Sequence, residues 1–470
     1  MLLVVLTLVG LAVGGCFGII GLDIRRSDSV DLIEADRHRL GGRQVSQTLD
    51  NQRNLYFANV TLGTPPQSLR MHLDTGSSDF WCNSPQSSLC MARDNRCNVS
   101  GTYDSSASSS HKFVNNKFNI SYVDGSAALG DYVTDTIRIG GQSICDFQFG
   151  VGTRSSSTEG VLGIGYAINE VQVSRGHESP YHNLPQRMVD EGLIKSNAYS
   201  LWLNDLGANT GQILFGGVNR DKYHGSLQTV PILTFAGKYS AFLISLDSIS
   251  VDGVNVAPSV FPAQVLLDSG STLMYLPDDI VESIYNQVHA STDVRAGSVI
   301  AYVPCALAHE EKTIDFTFSG IKISVPFNEV VLPSQWPNGS DLHFHDGTVA
   351  CIFGLAPSGG SYSVLGDTFL RSAYVVYDLD NNQISLAQTN FNSTTDNIKE
   401  IEVGPTGVPD ATLVSRPDAI AKGIGSEGTE LTDVAKPTGT MVSGASTGAA
   451  VPAGLCMIAF IMLIGIGFLA

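Results

Sequence analysis

Leu69-Arg70-Met71-His72-Leu73-Asp74-Thr75-Gly76-Ser77-Ser78 has a near repeat downstream, Ala263-Gln264-Val265-Leu266-Leu267-Asp268-Ser269-Gly270-Ser271-Thr272. Each begins as an apolar alternating run and leads into more apolar sequence, Phe80-Trp81 after the first and Leu273-Met274-Tyr275-Leu276 after the second. The pattern predicts a strand that delivers an acid, a small hydroxyl residue and a glycine to a tight loop. The glycine lets the backbone turn where a side chain would clash, and the hydroxyls can orient the neighbouring carboxylate. A lone Asp-Thr-Gly is weak, since Asp and Gly are ordinary turn residues. Two copies in matching contexts, 194 positions apart (268 minus 74), are much stronger.

Brought face to face, the two loops would pair two carboxylates. Like charges that close do not both ionise easily, so the pair would hold one proton over a wide acidic range. One acid can then activate a water while the other protonates a carbonyl, which is peptide hydrolysis with no metal and no covalent intermediate.

The two loops and the segments between them resemble the pepsin-like aspartic proteases, over roughly residues 51 to 390, and most closely the fungal, surface-anchored, yapsin-like branch. Leu55 to Gln67 resembles the family's opening passage. Gly160-Val161-Leu162-Gly163 and Ser363-Val364-Leu365-Gly366 are similar to the apolar segments that pass under each catalytic loop. The resemblance implies a mainly β, bilobal fold with pseudo-two-fold symmetry and the active-site cleft between the lobes. The alternating segments broken by Gly, Asn and Ser agree with that fold class. Helices are expected over 183–194 and 278–289.

By the same resemblance, Asp74 and Asp268 are the catalytic pair. Ser77 and Ser271, with Gly76 and Gly270, support the carboxylates, and Thr75 and Ser269 lie where the family cross-links its two loops. Phe118 to Gly140 is the flap hairpin, with Tyr122 bonding Trp81 and the tip at Asp124-Gly125. The family usually has Gly directly after this tyrosine, where this chain has Val123. Asp124 could set a negative charge above the cleft and favour basic substrate residues, or could simply hold its own turn. Substrates would be extended polypeptides. Two loops in one chain make a dimer unnecessary, so a monomer is expected. No cofactor or metal is expected, since no phosphate loop, nucleotide fingerprint or ligand spacing is visible, and His72 and His111 read as structural or surface residues. The rival reading is a catalytically inactive binding or wall protein on the same fold.

The formal charge of −18 argues against nucleic acid and anionic lipid surfaces as partners. It fits a protein that stays folded in acid, and fits simple solubility as well. Residues 1–22 carry no charge before Asp23 apart from the amino terminus and read as a secretory signal. Residues 23–50 are Arg-rich, which the resemblance makes a propeptide, and the lobes follow at 51–228 and 229–390. Residues 391–443, rich in Gly, Pro, Ser and Thr, are expected as a disordered stalk. Ser443-Gly444-Ala445, a weakly polar spacer and the apolar run Leu455 to Ala470 make a glycosylphosphatidylinositol (GPI) signal within 444–470, attached at Ser443. A retained membrane helix is the alternative. These ends together predict the outer face of the plasma membrane or the cell wall.

Outside the two ends, which hold Cys16 and Cys456, six cysteines remain, an even number that suits an oxidising compartment. The resemblance pairs Cys305 with Cys351 and makes Cys90–Cys97 the small N-lobe loop, leaving Cys82 with Cys145. Glycosylation sequons stand at Asn59, Asn98, Asn119, Asn338 and Asn392.

Overall fold

The computed structural model describes residues 19–26, 55–92, 96–122, 125–176, 178–208, 210–295, 298–335, 339–360 and 362–414. Strand follows strand through most of this length, with short helices at Leu184–Asp190 and Asp278–Val288 where helical spacing predicted them. The second helix buries Ile280, Val281, Ile284 and Val288 along one face, which is the reason a 3.6-residue period was visible.

The two lobes repeat one motif. The strand Gln67–Asp74 carries the first catalytic loop and runs parallel to Gly160–Gly163, with Asp74 beside Gly163. That crossing strand pairs on its other side with Phe80–Asn83. In the second lobe Ala263–Leu267 runs parallel to Ser363–Leu365, which pairs in turn with Met274–Leu276. The duplication predicted from sequence is therefore present strand by strand. The first crossing strand ends on Gly163 and the second is followed directly by Gly366, each glycine packed under the loop it supports. A Cβ on Gly163 would lie 2.7 Å from the Asp79 backbone, and one on Gly366 would lie 2.3 Å from the Ser271 carbonyl.

A shared base joins the lobes. Strands Tyr223–Pro231, Gln383–Thr389 and Ala373–Asp378 continue edge to edge into Ala198–Trp202, Thr210–Phe215 and Ile20–Arg26. Alternation turns Tyr199 and Tyr377 to one face of this base and Trp202 and Tyr374 to the other. Tyr199, Phe242 and Tyr377 pack together on the first face, with ring centroids 5.0 Å apart for Tyr199–Tyr377 and 4.7 Å for Phe242–Tyr377. Two polar braces also cross between lobes. Tyr166 donates to Asn382 at 3.0 Å, and the buried Glu329 holds Arg371 while accepting the Leu206 amide at 3.0 Å. Removing one partner of such a buried pair typically costs about 3–5 kcal/mol, because the other charge is stranded.

Three expectations need correcting at their edges. The strand Ile20–Arg26 begins inside the segment read as a signal and lies in the base beside Thr210–Phe215. The C-terminal body does not stop at 390. Ile398–Glu400 pairs with Gly217–Asn219, Thr412–Leu413 pairs with Gln228–Thr229, and Ile401 and Val408 are buried against Trp202 and Tyr223. Lys195 holds Glu400 and Glu402 from the outside. A handful of apolar anchors in a Gly- and Thr-rich run leaves no period to read, so composition alone mistook this segment for stalk.

The third correction concerns Cys82 and Cys145, which are unpaired, whereas Cys90–Cys97 and Cys305–Cys351 are bonded. Cys82 lies beside Val151 on a parallel neighbour, and Cys145 stands six residues earlier on that same strand. That separation is about 20 Å. A bridge needs Cα atoms within roughly 7 Å. Cys82 is buried, and desolvation pushes its thiol up, while Cys145 is exposed. A thiol titration of residues 19–414 should find one rapidly reacting thiol in the native protein and two after denaturation without reductant. A sample with no free thiol would restore the Cys82–Cys145 bridge.

Candidate active site

Asp74 and Asp268 end their strands at the junction of the lobes, and the two loops grip each other. The Thr75 hydroxyl donates to the Leu267 carbonyl at 3.0 Å, and the Ser269 hydroxyl donates to the Leu73 carbonyl at 3.0 Å. Each hydroxyl also accepts the other residue's backbone N–H, at 3.0 Å for Ser269 to Thr75 and 3.2 Å for Thr75 to Ser269. The arrangement is its own image under a two-fold rotation. Thr75 is 1% exposed and Ser269 fully buried, so these bonds work without competition from water.

The grip sets the carboxylates. Asp74 accepts Gly76 N–H at 2.8 Å and Ser77 N–H at 3.2 Å on one oxygen, and the Ser77 hydroxyl on the other. Asp268 accepts Gly270 N–H at 2.7 Å and the Ser271 hydroxyl at 2.7 Å in the same pattern. A Cβ on Gly76 would sit 2.5 Å from Asp268 Oδ1, and one on Gly270 would sit 2.4 Å from Asp74 Oδ1. Each carboxylate therefore lies directly over the other loop's glycine, and only glycine admits that approach. Burial, followed by the charge of Asp268, pushes Asp74 up to about 7, against the opposing pull of Ser77 and Gly76. Asp74 therefore keeps its proton well above the ordinary carboxylate range.

Over the pair stands the flap, built from Lys112–Ser121 and Ala127–Ile139. Trp81 donates its indole N–H to the Tyr122 hydroxyl at 2.7 Å, as the sequence led us to expect. Gly125 closes the turn by donating to the Tyr122 carbonyl at 3.0 Å. Val123 and Asp124 lie outside the described residues, as do Asn338 and Ser443. Asn59, Asn98, Asn119 and Asn392 have exposed side chains, but Arg175 donates to both the side-chain and backbone oxygens of Asn119 at 2.8 Å. Among the described residues no group of His, Cys, Asp and Glu could hold a metal ion.

Several residues of this neighbourhood were not read from sequence. Asp79, Tyr132, Glu170 and Tyr181 form a buried polar cluster behind the flap. The sequence signal for Asp79 was its place in an apolar strand start, where a charge has to find partners inside.

Residues 55–389 match the profile of the eukaryotic aspartyl protease family. The chain belongs to that family. It is 54% identical over 449 residues to the probable aspartic-type endopeptidase opsB of Aspergillus oryzae, covering 93% of this chain and 90% of the relative. It is 38% identical over 360 residues to candidapepsin-3 of Candida albicans, covering 75% and 84%. Among solved structures, the aspartic proteinase from Irpex lacteus superposes with a TM-score of 0.59 at 21% identity, covering 80% of this chain and all of that one, which shows the bilobal fold. The protein is an aspartic-type endopeptidase, and its substrates are polypeptides.

The pair is arranged so that an ionised member could take a proton from a water while the protonated member donates to the scissile carbonyl; collapse of the resulting diol would return a proton to the leaving nitrogen and restore the pair. Ser77 and Ser271 each hold one oxygen of their acid and the Gly76 and Gly270 amides hold the other, which fixes the orientation of both carboxyls. The hydroxyls hold the two carboxyls in place through the cycle, so little reorganisation is needed as charge moves.

The raised Asp74 also links stability to pH. Its folded value lies above the ordinary 3.8, so its contribution is fully present below pH ~4 and is lost as pH rises towards 7. Asp74→Asn lacks that group. Its unfolding free energy should fall less than wild type between pH 4 and 7, by on the order of 4 kcal/mol. Denaturant titrations at the two pH values check this, and parallel curves for the two proteins would refute it.

Proposed function

We propose that the protein is an acid-optimal endopeptidase held at the outer face of the plasma membrane or in the cell wall. The observation that carries the acid optimum is the buried pair itself. Its proton is retained up to about pH 7 through burial of Asp74 and the nearness of Asp268. Above that pH Asp74 loses its proton, and the donor to the substrate carbonyl is gone. Cleavage of a diverse peptide library from pH 3 to 9 should therefore fall away as pH rises through about 7. It should be blocked by the transition-state analogue pepstatin and absent in Asp74→Asn and Asp268→Asn. A folded, fully matured sample that cleaves nothing at any pH would overturn the reading and favour a binding role.

The anchoring rests on the sequence of the C-terminal tail. From Val414, the last described residue, 29 residues lead to Ser443 (443 minus 414). That run would link the protease body to a lipid at Ser443, in keeping with a yapsin-like, GPI-anchored branch. Residues 23–50, rich in both Arg and acidic residues, act as a pro-segment, with Ile20–Arg26 lodged in the base before maturation. The matured enzyme works as a monomer and carries N-linked sugars on its exposed sequons. Phosphatidylinositol-specific phospholipase C should release the activity from intact cells. Activity that stays with the membrane after that treatment and leaves only with detergent would point to a retained helix.

A further inference from the structure

Behind the flap a carboxylate is buried where an apolar side chain would suffice. Asp79 is 1% exposed and opens the strand that follows the first catalytic loop. Tyr132 donates its hydroxyl to Asp79 Oδ1 at 2.7 Å and Tyr181 donates to the same oxygen at 3.1 Å. The Val171 amide donates to Oδ2 at 2.8 Å. Its own backbone carbonyl accepts Gly163 N–H at 3.2 Å. Asp79 thus touches three separate pieces of the lobe: the crossing strand under Asp74, the 167–183 segment, and the returning strand of the flap.

From there an unbroken aromatic chain reaches the flap tyrosine. The Tyr132 ring meets Phe118 edge-on at 5.3 Å, and Phe118 lies 6.0 Å from Trp81. Trp81 in turn donates to the Tyr122 hydroxyl at 2.7 Å. Tyr132 and Phe118 stand on the two strands of the flap itself, so their packing sets the angle at which the hairpin leaves the lobe.

The internal duplication supplies a comparison within one chain. Phe80 pairs with Leu162 and Met274 pairs with Leu365, each one residue before the crossing glycine. In that register Asp79 of the first lobe answers to Leu273 of the second. Leu273 is an ordinary core residue packed with Ile300, Leu332 and Ile352. The same backbone position therefore folds well with leucine. The carboxylate stands in the lobe that has the flap.

We propose that Asp79 is a positioning residue for catalysis, which holds Tyr122 over the catalytic pair by anchoring the flap base through Tyr132. Glu170 borders the cluster. Its Oε2 accepts the Tyr181 amide at 2.8 Å, and burial, followed by the nearness of Asp79, pushes it up to about 11, so it is a neutral acid. Glu170→Gln, which mimics the neutral acid, serves as the internal control.

The test is steady-state cleavage of one peptide by matured wild type, Asp79→Asn, Tyr132→Phe, Glu170→Gln, Tyr122→Phe and the double variant Asp79→Asn/Tyr122→Phe. Asp79→Asn and Tyr132→Phe are each expected to lower kcat/KM by about tenfold, mainly through KM, because the flap closes less well on substrate. Glu170→Gln is expected to stay within about twofold of wild type. In the Tyr122→Phe background, Asp79→Asn should cost less than twofold more, since its effect is routed through that tyrosine. A residue important only for folding would lower active-enzyme titre and melting temperature in both backgrounds alike. Equal losses in the two backgrounds, or wild-type KM in a folded Tyr132→Phe, would overturn the proposal. Tyr132→Phe keeps the test decisive if Asp79→Asn does not fold. Loss of all turnover in Tyr122→Phe with a folded, pepstatin-binding protein would move the comparison to pepstatin affinity, read for the same five variants with the same two overturning outcomes.

Discussion

Two carboxylates held against each other's loops, out of water, repel one another and resist ionisation. Nothing in the local sequence of either loop would keep them there. The reciprocal bonds of Thr75 and Ser269 do, since each hydroxyl donates to a carbonyl of the opposite lobe and accepts an amide from it. Four bonds in a dry environment offset the repulsion only if both lobes are rigid behind them. That requirement explains the base of the molecule. The packed Tyr199, Phe242 and Tyr377, the Tyr166–Asn382 contact and the Leu206 amide on the buried Glu329 all tie one lobe to the other.

The duplication was legible because its evidence is local. Strand, acid, hydroxyl, glycine and strand lie within about a dozen residues, and the same order occurs twice. The partnership of Thr75 with Ser269 is not local. It spans 194 positions, and only the resemblance to a known family supplied it in advance. The same dependence on distance defeated the reading of Cys82 and Cys145. Parity says nothing about where two strands place their residues, and the parallel pairing of Cys82 with Val151 sets Cys145 far along the sheet. The stretch after 390 failed for another reason. Its order comes from a few buried side chains and from Lys195 and Lys222 on the body, so its own composition carries little of the information.

Fold symmetry and chemical symmetry part company at the flap. Up to the carboxylates the lobes are copies, in strand pairing, in the serine that supports each acid and in the glycine beneath it. One residue beyond the loops they differ, Asp79 against Leu273. A buried carboxylate is among the least favourable side chains a core can hold, and three donors are needed to make it tolerable. Leucine at the equivalent site shows that the backbone makes no such demand. What differs between the lobes is the hairpin above them. It has to stay close to the pair when substrate is bound and yet let substrate in. An apolar contact there could slide, because dispersion has little directional preference. Hydrogen bonds to a fixed acid define one angle and one distance. The asymmetry thus falls at the base of the hairpin, where directional bonds keep its root in register with Asp74.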